Sequence, residues 1–144
     1  MLPLEGLSVI DFSTLLPGPL ASLILAEAGA DVIKIERPSS GDEMRTYQPR
    51  VGEDSANFVM LNRGKRSLAV DLKQPEVVAR VRALIERADV LIEQFRPGVM
   101  DRLGLGFDAM HSINPKLVYC SISGWGQTGP KASVAGHDLN YLAE

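Results

Sequence analysis

One histidine lies in a setting suited to proton transfer. Residues 124–141, GWGQTGPKASVAGHDLNY, follow an apolar run at 117–123 that is typical of a buried strand. The segment ends at Leu139 and Tyr141, whose spacing predicts the start of a helix, and His137 lies at that junction. Histidine exchanges a proton near neutral pH, and a glycine-rich loop lets a ligand approach the backbone. His137 is therefore the first candidate for chemistry, with a solvated loop histidine as the alternative.

Positively charged side chains follow several of the predicted strands. Arg37 and Arg96 each come directly after a strand and precede a proline, which restricts the turn that presents the guanidinium. Further cations that we place at strand ends are Arg63, Lys65, Arg66 and Lys73. Because ligands of open α/β sheets bind at the carboxyl ends of the strands, these cations suggest a polyphosphate ligand, with plain surface charge as the alternative. ATP or a nucleotide-tailed molecule fits that pattern, although no P-loop motif is present.

The elements that must position these residues alternate between strand and helix. Strands are predicted at 7–12, 31–36, 67–72, 90–94 and 117–123, and the main helices at 20–28, 75–88 and 107–113. Such alternation predicts an α/β fold with an open, mostly parallel, Rossmann-like sheet and helices on both faces. In the first helix we expect a buried apolar face made of Leu20, Leu23, Ile24 and Ala28. Residues 37–55 are predicted to be loop, and residues 57–61 one helical turn.

The first strand-to-helix turn lacks the dinucleotide-binding fingerprint. It carries Pro17, Gly18 and Pro19 where G-x-G-x-x-G is expected. Glu36 does end the second strand, at the place of a ribose-binding acid, so an NAD site is kept as a weaker alternative. Trp125, in the glycine-rich loop, is expected to cover the core, with packing over a ligand as the alternative.

Size and composition restrict the class of protein further. The 144 residues suffice for one domain, and a net charge of −3 argues against nucleic acid as the main partner. A single cysteine, Cys120, provides neither a disulfide framework nor a metal cluster, so we expect a cytoplasmic protein without a metal site. No apolar run approaches the roughly 20 residues that span a membrane, and no membrane partner is expected. The last helix has barely begun at Glu144, which predicts that residues 1–144 are the N-terminal part of a longer domain.

Four segments resemble one known family when they are taken together and in order. They are GLSVIDFSTLLPGPLASLILAEAGADVIKIERP, NRGKRSLAVDLK, IEQFRPGVMDRLGLG and the SGWGQTGP…GHDLNY stretch. The chain is similar over nearly its whole length to the family III CoA-transferases of the CaiB/BaiF type. That superfamily also includes α-methylacyl-CoA racemases.

The resemblance implies a CoA thioester as substrate, no further cofactor, and an interlocked homodimer. It implies that Arg37 contacts the CoA phosphates, that Arg96 lies near the nucleotide, and that His137 is one of two racemase bases. The residues along the adenine would be Val70, Asp71, Leu72 and Lys73. The residues beside the thioester would be Gly136, Asp138, Leu139, Asn140 and Tyr141.

The resemblance leaves two reactions open. In a racemase, one base removes the α-proton of a 2-methylacyl thioester and a second group returns it on the opposite face. In a CoA-transferase, an aspartate attacks the thioester and carries the acyl group. The GHDLNY motif at 136–141 favours the racemase, whereas the long loop between Arg37 and Asn62 is of the transferase type. In both branches the matching aspartate is expected beyond Glu144.

Overall fold

A five-stranded parallel sheet forms the centre of the molecule. The computed structural model describes residues 1–143, the side chain of Asp138 excepted. The strand order is β5-β2-β1-β6-β7, and every neighbouring pair is parallel. These strands are β1 (Ser8–Asp11), β2 (Asp31–Glu36), β5 (Arg66–Ala69), β6 (Val90–Glu93) and β7 (Val118–Ser121). Two short strands, β3 (Arg50–Val51) and β4 (Asp54–Ser55), form a separate antiparallel hairpin. The predicted parallel α/β sheet is confirmed.

Helices connect the strands, and none of those described could cross a membrane. The helices are α1 (Pro17–Glu27), α2 (Ala56–Asn62), α3 (Pro75–Ile85), α4 (Val99–Arg102), α5 (Phe107–Ile113) and α6 (Asp138–Leu142), with a 3-10 turn at Glu43–Thr46. The helix predicted to begin near His137 is thus present as α6.

Buried apolar residues cover both faces of the sheet. Successive residues of a strand point to opposite faces, and the two clusters divide in that way. One cluster joins β1 and β6 to α3 and contains Ile10, Leu91, Val81 and Ile85. The other joins the alternate strand positions to α1 and contains Val9, Val32, Ile92, Leu25 and Ala26. The prediction of helices on both faces is therefore confirmed.

Helix α1 differs from its prediction in both start and orientation. It begins at Pro17 rather than at Leu20, because proline suits the first turn of a helix. Its buried residues are Gly18, Pro19, Ser22 and Leu23. Leu20 and Ile24 are 43% and 60% exposed, so the predicted apolar face was wrong for these two residues, although Leu23 is buried as predicted. Small residues face inward here because the helix start lies against the β1–α1 turn: a Cβ on Gly18 would lie 2.1 Å from Ser13 Cβ.

The segment at 37–55, which was predicted to be loop, contains a 3-10 turn and the β3–β4 hairpin, and α2 follows it. Asp42 caps the 3-10 turn by accepting a hydrogen bond from the Met44 N–H at 3.0 Å. Ser55 caps α2 in the same way, with Phe58 N–H as donor at 3.0 Å. The 3-10 turn depends on its polar cap rather than on apolar periodicity, which explains why the pattern did not reveal it, whereas α2 confirms the helical turn predicted at 57–61.

The order of the strands creates a crevice between β1 and β6. From β1 the chain moves to β2 and then to β5 on one side, and it returns to place β6 and β7 on the other. The connections that leave the carboxyl ends of β1 and β6 therefore run in opposite directions. In open α/β sheets this reversal point is where ligands bind.

Candidate functional site

A cavity of about 600 Å³ opens at this crevice. Leu15 and Pro17, after β1, form one side, and the turn at 94–97, after β6, forms another. Residues 122–125, after β7, and Ala132, residues 134–137 and Tyr141 complete the lining. We call this space the larger cavity. It brings together four of the predicted site residues, namely Arg96, Gly136, His137 and Tyr141.

His137 lies at the rim of the larger cavity as the residue that precedes α6. Its backbone N–H donates to the Asn140 side-chain oxygen at 2.9 Å, and its carbonyl accepts from Asn140 N–H at 2.8 Å. This reciprocal pair fixes the backbone from which the imidazole projects. Asn140 thus supports His137.

Tyr141 forms a wall of the larger cavity against two glycines. A Cβ on Gly124 would lie 2.0 Å from the Tyr141 hydroxyl oxygen, and one on Gly136 would lie 2.5 Å from it. The Trp125 ring packs on Tyr141 at a centroid distance of 4.9 Å, and Lys131 Nζ lies 4.9 Å from the Trp125 ring centroid. Trp125 therefore lines the cavity. The expectation that it covers the core was wrong.

Arg96 contributes an uncompensated positive charge to the larger cavity. Its guanidinium is exposed and has no hydrogen-bond or ion-pair partner within the described residues. The turn that carries it is held by Glu93, which accepts from Phe95 N–H at 2.8 Å and from the Ser121 hydroxyl. Burial raises the pKa of Glu93, and these two hydrogen bonds partly oppose that rise.

Gln94 joins the two sides of the crevice. Its side-chain N–H donates to the Thr14 carbonyl oxygen at 2.7 Å, which links the turn after β6 to the turn after β1. Its side-chain oxygen is buried and has no partner among the described residues. Sequence reasoning missed Gln94, and it gave the cavity position of Trp125 only as the less favoured alternative. The position of Gln94, two residues before Arg96 and directly after a strand, was the available signal.

A smaller cavity of about 230 Å³ lies at the ends of β2 and β5. Its lining includes Arg37, residues 39–41 and Ala69. The Arg37 guanidinium is exposed and makes no hydrogen bond or ion pair with any described residue. Like Arg96, it is available to an anionic ligand.

The Val70–Lys73 segment continues from β5 beside Arg37. Val70 N–H donates to the Glu36 carbonyl oxygen at 2.9 Å, so the segment starts next to the end of β2. The Asp71 carboxylate accepts from Lys73 N–H at 3.0 Å, which forms a tight turn and lowers the Asp71 pKa. Val70 and Leu72 pack against the larger core cluster, and Lys73 is exposed.

Glu36 is not available for a ribose. Its buried carboxylate accepts from the Arg45 guanidinium at 2.7 and 2.8 Å, from the Ser67 hydroxyl at 2.6 Å and from Asp42 N–H at 2.9 Å. Burial alone would raise the pKa of Glu36, but these hydrogen bonds and the Arg45 charge outweigh it and lower the pKa to about 2. Four internal bonds occupy the acceptor that the NAD alternative requires, which argues against that alternative.

Three of the cations predicted at strand ends bind other groups of the protein instead of lining a cavity. Arg66 begins β5 and pairs with Asp31 at the start of β2, and Arg63 pairs with Glu27 at the end of α1. Both pairs lie towards the amino edge of the sheet, so their predicted place in the ligand crevice was wrong. The Lys65 ammonium is buried and donates to Pro19 O at 2.8 Å and to Asn62 Oδ1 at 2.9 Å.

Leu139, another predicted site residue, is not part of either cavity lining. Leu139 is 79% exposed on α6, and the side chain of Asp138 lies outside the described residues. The larger cavity therefore has the imidazole of His137 and the free guanidinium of Arg96. The smaller cavity, along the same sheet edge, has the free guanidinium of Arg37. Such an edge can bind a long anionic ligand and present a proton-transfer group to one end of it.

Comparison with known proteins agrees with this geometry. The family model described as CoA-transferase family III matches residues 4–144. An acetyl-CoA:oxalate CoA-transferase from Acetobacter aceti is 48% identical over 136 residues, which cover 94% of this chain and 35% of that protein. The human alpha-methylacyl-CoA racemase is 44% identical over 140 residues, which cover 97% and 33% of the two chains.

A solved structure gives the same result for the fold. The crystal structure of a CaiB/BaiF family protein from Brucella suis superposes with a TM-score of 0.91 at 44% identity, over 96% of this chain and 38% of that one. The chain thus spans roughly a third of the length of these relatives. The protein described here belongs to CoA-transferase family III.

Proposed function

We propose that this chain binds a CoA thioester along the carboxyl edge of its sheet. The nucleotide end would occupy the smaller cavity, where Arg37 provides a free positive charge beside Val70–Lys73. The acyl end would occupy the larger cavity beside His137. The observation that carries this proposal is the pair of unneutralised guanidinium groups of Arg37 and Arg96 at one sheet edge. A polyphosphate is the ligand that such groups bind best.

The proposed reaction is exchange of the α-proton of a 2-methylacyl-CoA. The C2–H bond breaks, its proton moves to the neutral imidazole of His137, and the electron pair is delocalised into an enolate of the thioester. Return of a proton to the opposite face of C2 inverts the configuration. The described lining of the larger cavity contains no carboxylate, so the second acid–base group is proposed to come from residues outside that lining. CoA enters as part of the substrate, and this chemistry requires no further cofactor.

CoA transfer between carboxylic acids is the second candidate. It is supported by the CoA-transferases among the relatives and by the ordered 37–62 segment, whose length is of the transferase type. An aspartate nucleophile would then form the acyl intermediate. His137 at the cavity rim favours proton exchange instead, because a transferase needs no base at that position.

A homodimer in the cytoplasm completes the proposal. Apolar side chains on neighbouring faces of α1 and α2 are exposed and suit association with a second copy: Leu16, Leu20, Ile24, Val59 and Met60. The unpaired thiol of Cys120 suits a reducing compartment.

Isotope exchange separates the two reactions. The complete gene product is incubated in D2O with a 2-methylacyl-CoA. In a parallel reaction it is given a thioester labelled in its CoA moiety together with a free dicarboxylic acid. We expect deuterium at C2 and no labelled CoA thioester of the dicarboxylic acid. Label transfer without C2 exchange would favour the transferase, and the absence of both reactions would contradict the proposal.

A further inference from the structure

The turn between β1 and α1 is held by buried charges. Leu15, in this turn, lines the larger cavity and has a φ of 63°, a left-handed conformation that is uncommon for leucine. Such strain persists only where the surroundings impose it. The polar groups around Leu15 provide that constraint.

Asp42 supplies the central contact. Its fully buried carboxylate accepts from Leu15 N–H at 3.1 and 3.3 Å and pairs with the ammonium of Lys34 at 2.9 Å. Lys34 in turn donates to Ser13 O at 2.6 Å. The turn is also held by Asp11, which accepts from Ser13 N–H at 2.8 Å. Removal of the Asp42 carboxylate would free both the left-handed residue and the ammonium that holds its neighbour.

Asp42 also adjoins the lining of the smaller cavity. It follows Gly41, which lines that cavity, and its own N–H donates to Glu36, another lining residue, at 2.9 Å. One residue therefore joins the backbone of the smaller cavity to the turn that lines the larger one. Beneath this link, Leu15 packs on the apolar cluster of Met44, Phe58 and Leu61.

We propose that Asp42 is a positioning residue that fixes the separation of the two cavities, so that the chain is preorganised for one ligand that occupies both. This inference rests on the proposed function, since it takes CoA as that ligand. A rigid separation lowers the ordering cost of a ligand bound at two places. It has no such effect on a ligand that occupies only the smaller cavity, and this difference distinguishes a positioning role from a general structural one.

Calorimetric titration with two probes tests the proposal. CoA can reach both cavities, whereas adenosine 3′,5′-bisphosphate represents only the nucleotide end. The test variant is the double substitution Lys34→Met with Asp42→Ala, which removes the pair together and leaves no unpaired buried charge. The control is Asp31→Ala, which breaks the exposed ion pair with Arg66 at the amino edge. Thermal unfolding establishes that each variant is folded.

We expect the double variant to bind CoA about 10-fold more weakly while its affinity for the bisphosphate changes by less than about 2-fold. The control should bind both as the unmodified chain does. An equal loss for both probes, or no loss for CoA, would overturn the inference and leave the proposed function standing. If the unmodified chain fails to bind CoA, both the inference about Asp42 and the proposed function are contradicted. Should the double variant not fold, Asp42→Asn keeps the side-chain size and must still show a selective loss of CoA affinity.

Discussion

At the scale of single residues, the cations that have no partner within the protein are the candidate ligand contacts, and those that form ion pairs are structural. Arg37 and Arg96 have no carboxylate partner within the described residues, whereas Arg66 is paired with Asp31. Pairing within the protein consumes the hydrogen bonds that a phosphate would need. The free pair should therefore dominate the binding of CoA.

Replacement of either free arginine tests this distinction. Arg37→Gln and Arg96→Gln should each weaken CoA binding by about 10- to 100-fold, because each removes a hydrogen-bond donor to a charged group. Arg66→Gln, the matched control, should leave the affinity unchanged. Calorimetric titration measures all three. Equal effects of the three substitutions would indicate non-specific attraction by positively charged surface residues.

His137 should affect chemistry and not CoA affinity. His137→Gln keeps a polar side chain at the cavity rim but removes the group that exchanges protons near neutral pH. We expect C2 deuterium exchange by the complete gene product to fall by at least about 100-fold, with CoA affinity within about 2-fold of the original. Mass spectrometry of the thioester measures the exchange. Retention of exchange in this variant would remove His137 from the mechanism.

The sequence predicted Arg37, Arg96 and His137 but neither Gln94 nor Asp42. The first three lie directly after predicted strands or at a predicted strand-to-helix junction, so local pattern places them at the ligand edge. Gln94 matters through Thr14, which is 80 residues away, and Asp42 matters through Leu15, 27 residues away. Hydrogen bonds between segments so distant in sequence leave no local periodicity.

At the scale of elements, the start of α1 depends on the absence of a side chain at Gly18. Alanine normally stabilises a helix relative to glycine. Here the added Cβ would lie 2.1 Å from Ser13 Cβ, in a turn that buried charges already hold. Periodicity predicted the helix but not its buried face, because glycine, proline and serine pack against the turn while two large apolar residues face outward.

Gly18→Ala should therefore reduce the free energy of unfolding by about 1–3 kcal/mol, as for other overpacked positions. Gly124→Ala is a matched comparison, because its Cβ would meet the Tyr141 ring on the short, exposed α6. We expect that variant to lose less stability, since α6 can shift, but to bind CoA more weakly. Urea unfolding compares the two. A stabilised Gly18→Ala variant would contradict the packing described for α1.

At the scale of the whole molecule, alternating elements predicted a parallel sheet but not its strand order. The order follows from long crossovers, which bring β6 next to β1, and it places the larger cavity at the reversal point. Buried ion pairs along that edge also make stability depend on pH. The Glu36 carboxylate is the clearest case, because its pKa is lowered to about 2 in the folded chain.

A carboxylate with a lowered pKa stabilises the fold above its unfolded pKa, near 4.5, and this contribution disappears as the pH falls through about 2. The shift corresponds to at most about 3 kcal/mol. Glu36→Gln should therefore be less stable than the original at pH 6, with the difference shrinking between pH 4.5 and pH 2. Urea unfolding at several pH values measures this, with exposed Glu76→Gln as the control. A difference that is constant with pH would contradict the assigned role of Glu36.

The most direct test of the central claim is a crystal structure of the chain with a non-hydrolysable acyl-CoA thioether. The account predicts one extended ligand, with its phosphates hydrogen-bonded to Arg37 and its acyl end in the larger cavity beside the imidazole of His137. A ligand whose nucleotide lies away from Arg37, or whose acyl end lies away from His137, would contradict it.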